Sequence, residues 1–167
     1  MIKMQFQQIT HEFQPLYNGD SRILILGSFP SVKSREQQFY YGHTRNRFWK
    51  VISTLLHENT PQTIEEKKQL LLSHHIALWD VIWQCDIVGS SDASITNVIP
   101  NDISRILDSC PIQAIFTNGT KAHELYKKWI YPMCKIEDIK LPSTSPANAA
   151  FRLDNLLEHW QCILQYL

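Results

Sequence analysis

The feature that most narrows the fold is a short apolar run, Ile23-Leu24-Ile25-Leu26, that stops at Gly27 and passes into Ser28-Phe29-Pro30. A block of β-branched residues and leucine ending in Gly and Pro reads as a buried strand whose end opens into a loop. Further apolar runs at Ile76 to Val81, Ile112 to Thr117 and Ile136 to Leu141 read the same way. Between them lie segments with helical spacing. Phe48, Ile52, Leu55 and Leu56 mark a helix from about Asn46 to His57 with one buried face, broken by Asn59-Thr60-Pro61. Thr63-Ile64-Glu65-Glu66 is a capping box that opens a helix to about Ser73. Asn101 can cap a helix carrying Ile103, Ile106 and Leu107, and Thr120 opens one with Leu125 and Trp129 inward. Ser145-Pro146 is a helix-start signal, and Leu153, Leu156, Leu157, Trp160, Ile163 and Leu164 form the stripe of a final helix.

Strands alternating with helices predict an α/β fold: one three-layer α/β/α domain around a mainly parallel sheet of about four strands. Residues 1–22 read as a poorly ordered N-terminal arm, and 84–100 as a second long loop rich in Ser, Asp and Gly. The loops leaving strands one, three and four (27–47, 118–120 and 142–147) are expected on one edge of the sheet.

At 167 residues a single domain is the natural size. Lys plus Arg and Asp plus Glu both number 16, so net charge steers the chain toward no polyanion. Any attraction to nucleic acid must be local. The start of the chain lacks the apolar core of a signal peptide, and no run reaches membrane-spanning length. Cys85, Cys110, Cys134 and Cys162 are widely spaced and read as buried thiols of a cytoplasmic protein. No His or Cys spacing suggests a metal site, and no cofactor is expected.

The loop after the first strand carries the chemistry. Lys33, Arg35, Arg45, Arg47 and Lys50 stand against one acid, Glu36, with Phe39, Tyr40, Tyr41 and His43 among them. Aromatics stack on bases and cations meet phosphates, so this mixture suits nucleic acid; it also suits a solvated loop whose aromatics plug the core.

On these residues the chain resembles the uracil-DNA glycosylase superfamily. A G-x-N-P-G turn followed by an aromatic–H-P-x-N-R-F-W run is that superfamily's first motif in its mismatch-specific branch; here the frame reads GSFPS, then YYGHTRNRFW. Leu141-Pro142-Ser143-Thr144-Ser145-Pro146 looks like the second motif, a Pro-Ser turn that enters DNA. The resemblance runs from about Ile23 to the last helix. The turn position that holds a catalytic Asn or Asp in most branches is Phe29, and the second-motif position that is often His is Leu141 or lies elsewhere. Those departures, with Ala77-Leu78-Trp79-Asp80-Val81 and Gly89-Ser90-Ser91-Asp92, are most similar to the hypoxanthine-DNA (deoxyinosine) glycosylases. In that branch the catalytic role moves to the Asn of an H-P-R-N run, which matches Asn46; the Pro of that run is Thr44 here.

The resemblance implies a monofunctional glycosylase of base excision repair, a monomer acting on double-stranded DNA that carries a deaminated base. Catalysis falls to Asn46 and His43. Asn46 can hold water or donate to the leaving base, and it can also cap the following helix. His43 can serve a phosphate or the base, or be structural. Gly27, Ser28, Phe29, Tyr41, Asp80 and Asn118 are expected around the base. Tyr41 is a stacking surface or core, and Asn118 a base-edge partner or the turn before Gly119. Asp80 could orient water or anchor a turn. Ser31, Lys33, Arg45, Arg47, Ser143, Thr144 and Ser145 are expected on DNA. The same reaction on uracil, and a catalytically degenerate DNA-binding relative, are the rival readings. A phosphate-loop enzyme is disfavoured because no G-x-x-x-x-G-K is present.

Overall fold

Why the first apolar run is so uniform is plain in the computed structural model, which describes residues 5–167. Strand β2 (Ile23–Gly27) lies inside a four-stranded sheet of order β3-β2-β6-β7, with β3 Ile76–Asp80, β6 Ala114–Asn118 and β7 Asp138–Leu141. All three pairings are parallel. Ile23 to Leu26 are wholly buried, since a strand in a parallel sheet flanked by helices has no solvent face. From β2 the chain crosses one way to β3, while β6 crosses the other way to β7. Right-handed crossovers therefore send their helices to opposite faces.

Before β3 come α1 (Val32–Gln37), α2 (Phe48–Leu55) and α3 (Ile64–Ser73). The capping box of α3 is formed: the Thr63 hydroxyl accepts from the Glu66 amide at 3.1 Å, and Glu66 accepts from the Thr63 amide at 3.4 Å. Helix α4 (Ser104–Leu107) leads to β6. Helix α5 (Thr120–Leu125), a π-helical turn and α6 (Tyr131–Cys134) link β6 to β7. Helix α7 (Leu153–Trp160) continues as a 3₁₀ turn, Gln161–Tyr166. Its Trp160 packs edge-on against Phe48 of α2.

Four sequence expectations are corrected. The N-terminal arm is built into the fold, apart from residues 1–4, which lie outside the described residues. Strand β1 (Gln7–Thr10) pairs antiparallel with β4 (Ile82–Ile87), His11 is buried, and Leu16 exchanges backbone hydrogen bonds with Leu78 on β3. Residues 84–100 are mostly not loop: β4 pairs with β5 (Thr96–Pro100), making a second sheet of order β1-β4-β5. Ser145-Pro146 opens a turn rather than a helix, and α7 starts only at Leu153. Asn101 does not cap α4; its buried amide donates to the carbonyls of Asp80 and Ile82 at 2.9 and 3.1 Å, pinning the corner where the chain leaves one sheet for the other.

Candidate active site

In an open α/β sheet ligands sit beyond the carboxyl ends of the strands, where strand order reverses. Here that point lies between β2 and its neighbours β3 and β6, and a cavity of about 590 Å³ occupies it. Gly27, Asp80 and Asn118 enter from the ends of the three strands. Ser28, Phe29, Ser31, Tyr41, His43 and Asn46 come from the loop after β2, and Ser143, Thr144 and Ser145 from the loop after β7. The expected three-loop cluster thus forms. A fourth segment, Ser90 to Ala93, closes the rim, which the reading of 84–100 as plain loop did not foresee.

The floor is locked by one hydrogen-bond chain. The Asn118 amide donates to the Thr144 hydroxyl at 3.0 Å, and that hydroxyl donates to Asn46 Oδ1 at 2.9 Å. Asn46 Oδ1 also accepts from the Phe48 amide at 2.9 Å, holding the start of α2. Asn118 Oδ1 in turn accepts from the Thr144 amide at 3.0 Å. A backbone N–H can meet only the oxygen of a carboxamide, so the orientation of Asn46 is settled. Its oxygen serves the helix and Thr144 together, while its Nδ2 has no partner among the described residues and belongs to a cavity-lining side chain. Asn46 therefore offers the cavity a donor. Asn46 stands one residue before Arg47, the N-cap of α2, so its bond to the Phe48 amide is an Asx turn leading into the helix rather than the cap itself, and that turn coexists with the site role.

Several expected DNA contacts are redirected inward. Thr144 is wholly buried with its hydroxyl engaged on both sides, so it does not present itself to DNA. Arg47 donates to four carbonyls of the second motif and the turn that follows it: Thr144 at 3.3 Å, Ser145 at 2.8 Å, Asn148 at 3.1 Å, and Phe151. It clamps that loop and is not a free phosphate ligand. Arg35 likewise donates to the Gly89 carbonyl at 2.8 Å. The Ser28 hydroxyl donates to Asp92 at 2.9 Å, and Ser31 caps α1 through the Ser34 amide at 3.2 Å. Asp92 lies at the surface, yet its carboxyl is turned to Ser28 and is held above the usual carboxylate range. Desolvation is the main cause and the charge of Asp80 adds to it, against the Ser28 hydrogen bond and Lys121.

Of the basic loop residues, Lys33, Arg45 and Lys50 remain exposed, Lys33 beside Glu36 at 3.6 Å. His43 is exposed, and its Nδ1 accepts from the Arg45 amide at 3.1 Å. A neighbouring cleft of about 530 Å³ shares Asn118, Ser143 and Ser145 with the site and adds Lys121, Lys140 and His159. Those three were missed because they are scattered singly along the sequence. Gly119 follows β6 with φ +99°, and a Cβ there would stand 2.9 Å from Ser143 Cβ, so glycine is needed twice over.

Tyr41 stacks on Phe48 with centroids 4.1 Å apart and an interplanar angle of 23°. One ring face is thus covered, leaving at most the other for a base. Its hydroxyl is buried without a hydrogen-bond partner among the described residues. Burial first, and then the charge of Asp80, pushes this phenol well above its ordinary pKa. Phe29 is buried in the wall, with Arg35 over its ring at 5.8 Å. Asp80 is buried and paired with His11, a residue not singled out from the sequence.

Comparison with known proteins agrees with this architecture. The sequence profile of the Uracil DNA glycosylase superfamily matches residues 14–167. A protein of Methanosarcina acetivorans named hypoxanthine DNA glycosylase is 35% identical over 160 residues, covering 95% of this chain and 99% of its own. One of the same name from Methanosarcina barkeri is 33% identical over 115 residues, covering 67% and 72%. The solution NMR structure of a candidate uracil DNA glycosylase from M. acetivorans superposes with a TM-score of 0.78 at 34% identity, covering 92% of this chain and 94% of that one. With a family match over nearly the whole chain, a relative 35% identical along it and a shared fold, the chain belongs to the uracil DNA glycosylase superfamily.

Proposed function

We propose that this protein is a monofunctional DNA glycosylase that flips a deaminated base out of duplex DNA and hydrolyses its N-glycosidic bond, with hypoxanthine as the preferred base. The observation that carries the reading is the convergence of Asn46, Asp80 and Asn118 in one cavity walled by Phe29 and Tyr41 at the switch point of the sheet. A base inside a duplex is unreachable, so it must be extruded into such a pocket. Its volume of about 590 Å³ has room for a bicyclic base.

The C1′–N9 bond breaks with its electron pair going to the base. Asn46 Nδ2, the free donor of the floor, meets that developing negative charge. Water adds its oxygen to C1′, and the proton it releases ends on the departing base. No lysine lines the cavity among the described residues, which favours water over an amine as nucleophile. Exposed Arg45 and Lys50, with Lys121 and Lys140 in the adjoining cleft, are the phosphate partners this reading calls for. Uracil shares the lactam N–H and adjacent carbonyl of hypoxanthine and is the second substrate, a reading the name of the M. acetivorans NMR structure also favours.

The test is single-turnover excision from duplexes carrying one deoxyinosine, deoxyuridine or deoxyxanthosine, followed by alkaline cleavage. Deoxyinosine should be excised fastest, in the presence of excess chelator. A chain that binds these duplexes without releasing any base is a DNA-binding relative and not a glycosylase.

A further inference from the structure

Asp80 closes β3, directly beside Gly27 of β2 in the parallel register. It is 4% exposed and lines the cavity. One carboxylate oxygen, Oδ2, accepts from His11 Nε2 at 2.8 Å. The other, Oδ1, has no hydrogen-bond partner among the described residues and lies over Gly27, where a Cβ would come within 2.4 Å of it. Gly27 has no positive φ to explain it; what its missing side chain provides is room for this oxygen.

His11 arrives from the end of β1 and is wedged among Phe13, Phe29 and Tyr40, with ring centroids 4.4, 6.1 and 6.0 Å away. Its Nδ1 is buried and has no acceptor among the described residues, so the ring donates through Nε2 and a second N–H would be stranded. The pair therefore holds a carboxylate in one orientation with one oxygen turned to the site. A carboxylate accepts hydrogen bonds and donates none.

Deamination changes the edge of a base in the sense such a group detects. Adenine N1 and cytosine N3 are bare acceptors. In hypoxanthine and uracil the same ring positions carry a hydrogen. We propose that Asp80, oriented by His11, reads this lactam N–H and so separates deaminated bases from adenine and cytosine. Asp80 is the specificity residue and His11 its positioning residue. The inference rests on the glycosylase reading above and names how that site recognises its substrate class. Guanine and thymine also carry the N–H and are rejected elsewhere, by their extra amino and methyl groups.

Asp80→Asn tests the point without changing shape. His11 Nε2 would hold the carboxamide oxygen, leaving the NH₂ to face the N1–H of hypoxanthine, donor against donor. Excision of deoxyinosine should fall about 10- to 100-fold, the discrimination of one base-edge contact, while affinity for a duplex with an abasic analogue stays within about two-fold. In Asp80→Asn/His11→Phe the carboxamide is released and can turn its oxygen to the base. Recovery of about five-fold or more in deoxyinosine excision is expected, whereas a merely structural His11 would make the double variant worse than the single. The unmutated protein gives an independent arm: 1-methyldeoxyinosine, which lacks the N–H, should be excised at least ten-fold more slowly than deoxyinosine, and Asp80→Ala, with room for the methyl group, should treat the two within a few-fold. Wild-type rates from Asp80→Asn, or equal rates on the two substrates from the unmutated protein, overturn this inference alone. A wild-type protein that releases neither hypoxanthine nor uracil overturns the functional reading and this one with it.

Discussion

Replacing Asn46 by Asp separates two jobs that one side chain performs. Asn46 Oδ1 accepts from the Phe48 amide and the Thr144 hydroxyl, both at 2.9 Å, and Nδ2 is the free donor. Asp keeps the acceptor and removes the donor. Stability should therefore hold or rise slightly, since a negative charge at the start of α2 is favourable by about 0.3–1 kcal/mol. Single-turnover excision should fall by about 10²-fold or more, the loss of one preorganised donor at the leaving base, or roughly 2.7 kcal/mol of barrier. Asn46→Ala removes both functions. It forfeits the Asx-turn hydrogen bond to the Phe48 amide at about 1 kcal/mol and strips the buried Thr144 hydroxyl of its acceptor at about 1–2 kcal/mol. Its melting temperature should drop by roughly 4–12 °C for a chain of this size. Thermal melts and single-turnover rates on a deoxyinosine duplex, measured side by side, check the scheme. Wild-type excision by Asn46→Asp would refute the donor role, and a stable Asn46→Ala would refute the lock.

The two arginines of the motif should part company. Arg47→Ala should lose roughly 2–4 kcal/mol in urea melts because four carbonyls lose a charged donor. Arg45→Ala should leave stability alone, weaken binding to all duplexes alike, and lower the log–log salt slope by about 0.9. Burial raises the phenols of Tyr40, Tyr41 and Tyr126. Folded pKa values above the unfolded value of about 10 mean stability that is fully present below pH 10 and lost above it. The three together should give a slope approaching roughly 4 kcal/mol per pH unit in alkaline melts, and a flat profile from pH 9 to 11 would contradict it. The buried Cys85 thiol is pushed up to about 11, chiefly by burial, so native labelling with a thiol reagent at pH 8 should be confined to the half-buried Cys134 and Cys162 until the chain unfolds.

The fold class was legible because burial by helices on both faces leaves a local trace: Ile23 to Leu26 are apolar at every position, and the helices repeat at their own period. The second sheet left a weaker trace. No residue of its strands β1 and β5 is fully buried, and β1 pairs with a strand more than seventy residues away. Motif residues Asn46, Asn118 and Asp80 were legible as residue types at strand ends and loops, and the three do share one cavity. Which of their atoms face it was decided only by tertiary contacts. Asn46 and Thr144 meet across 98 positions of sequence, as do Arg47 Nη2 and Ser145. His11 stands in a polar segment that gave no reason to expect burial, and it becomes the partner of Asp80 only because β1 lies against β4. Sequence periodicity records whether a residue is buried. Which hydrogen bond it makes depends on the chain brought opposite, and that is a property of the folded molecule alone.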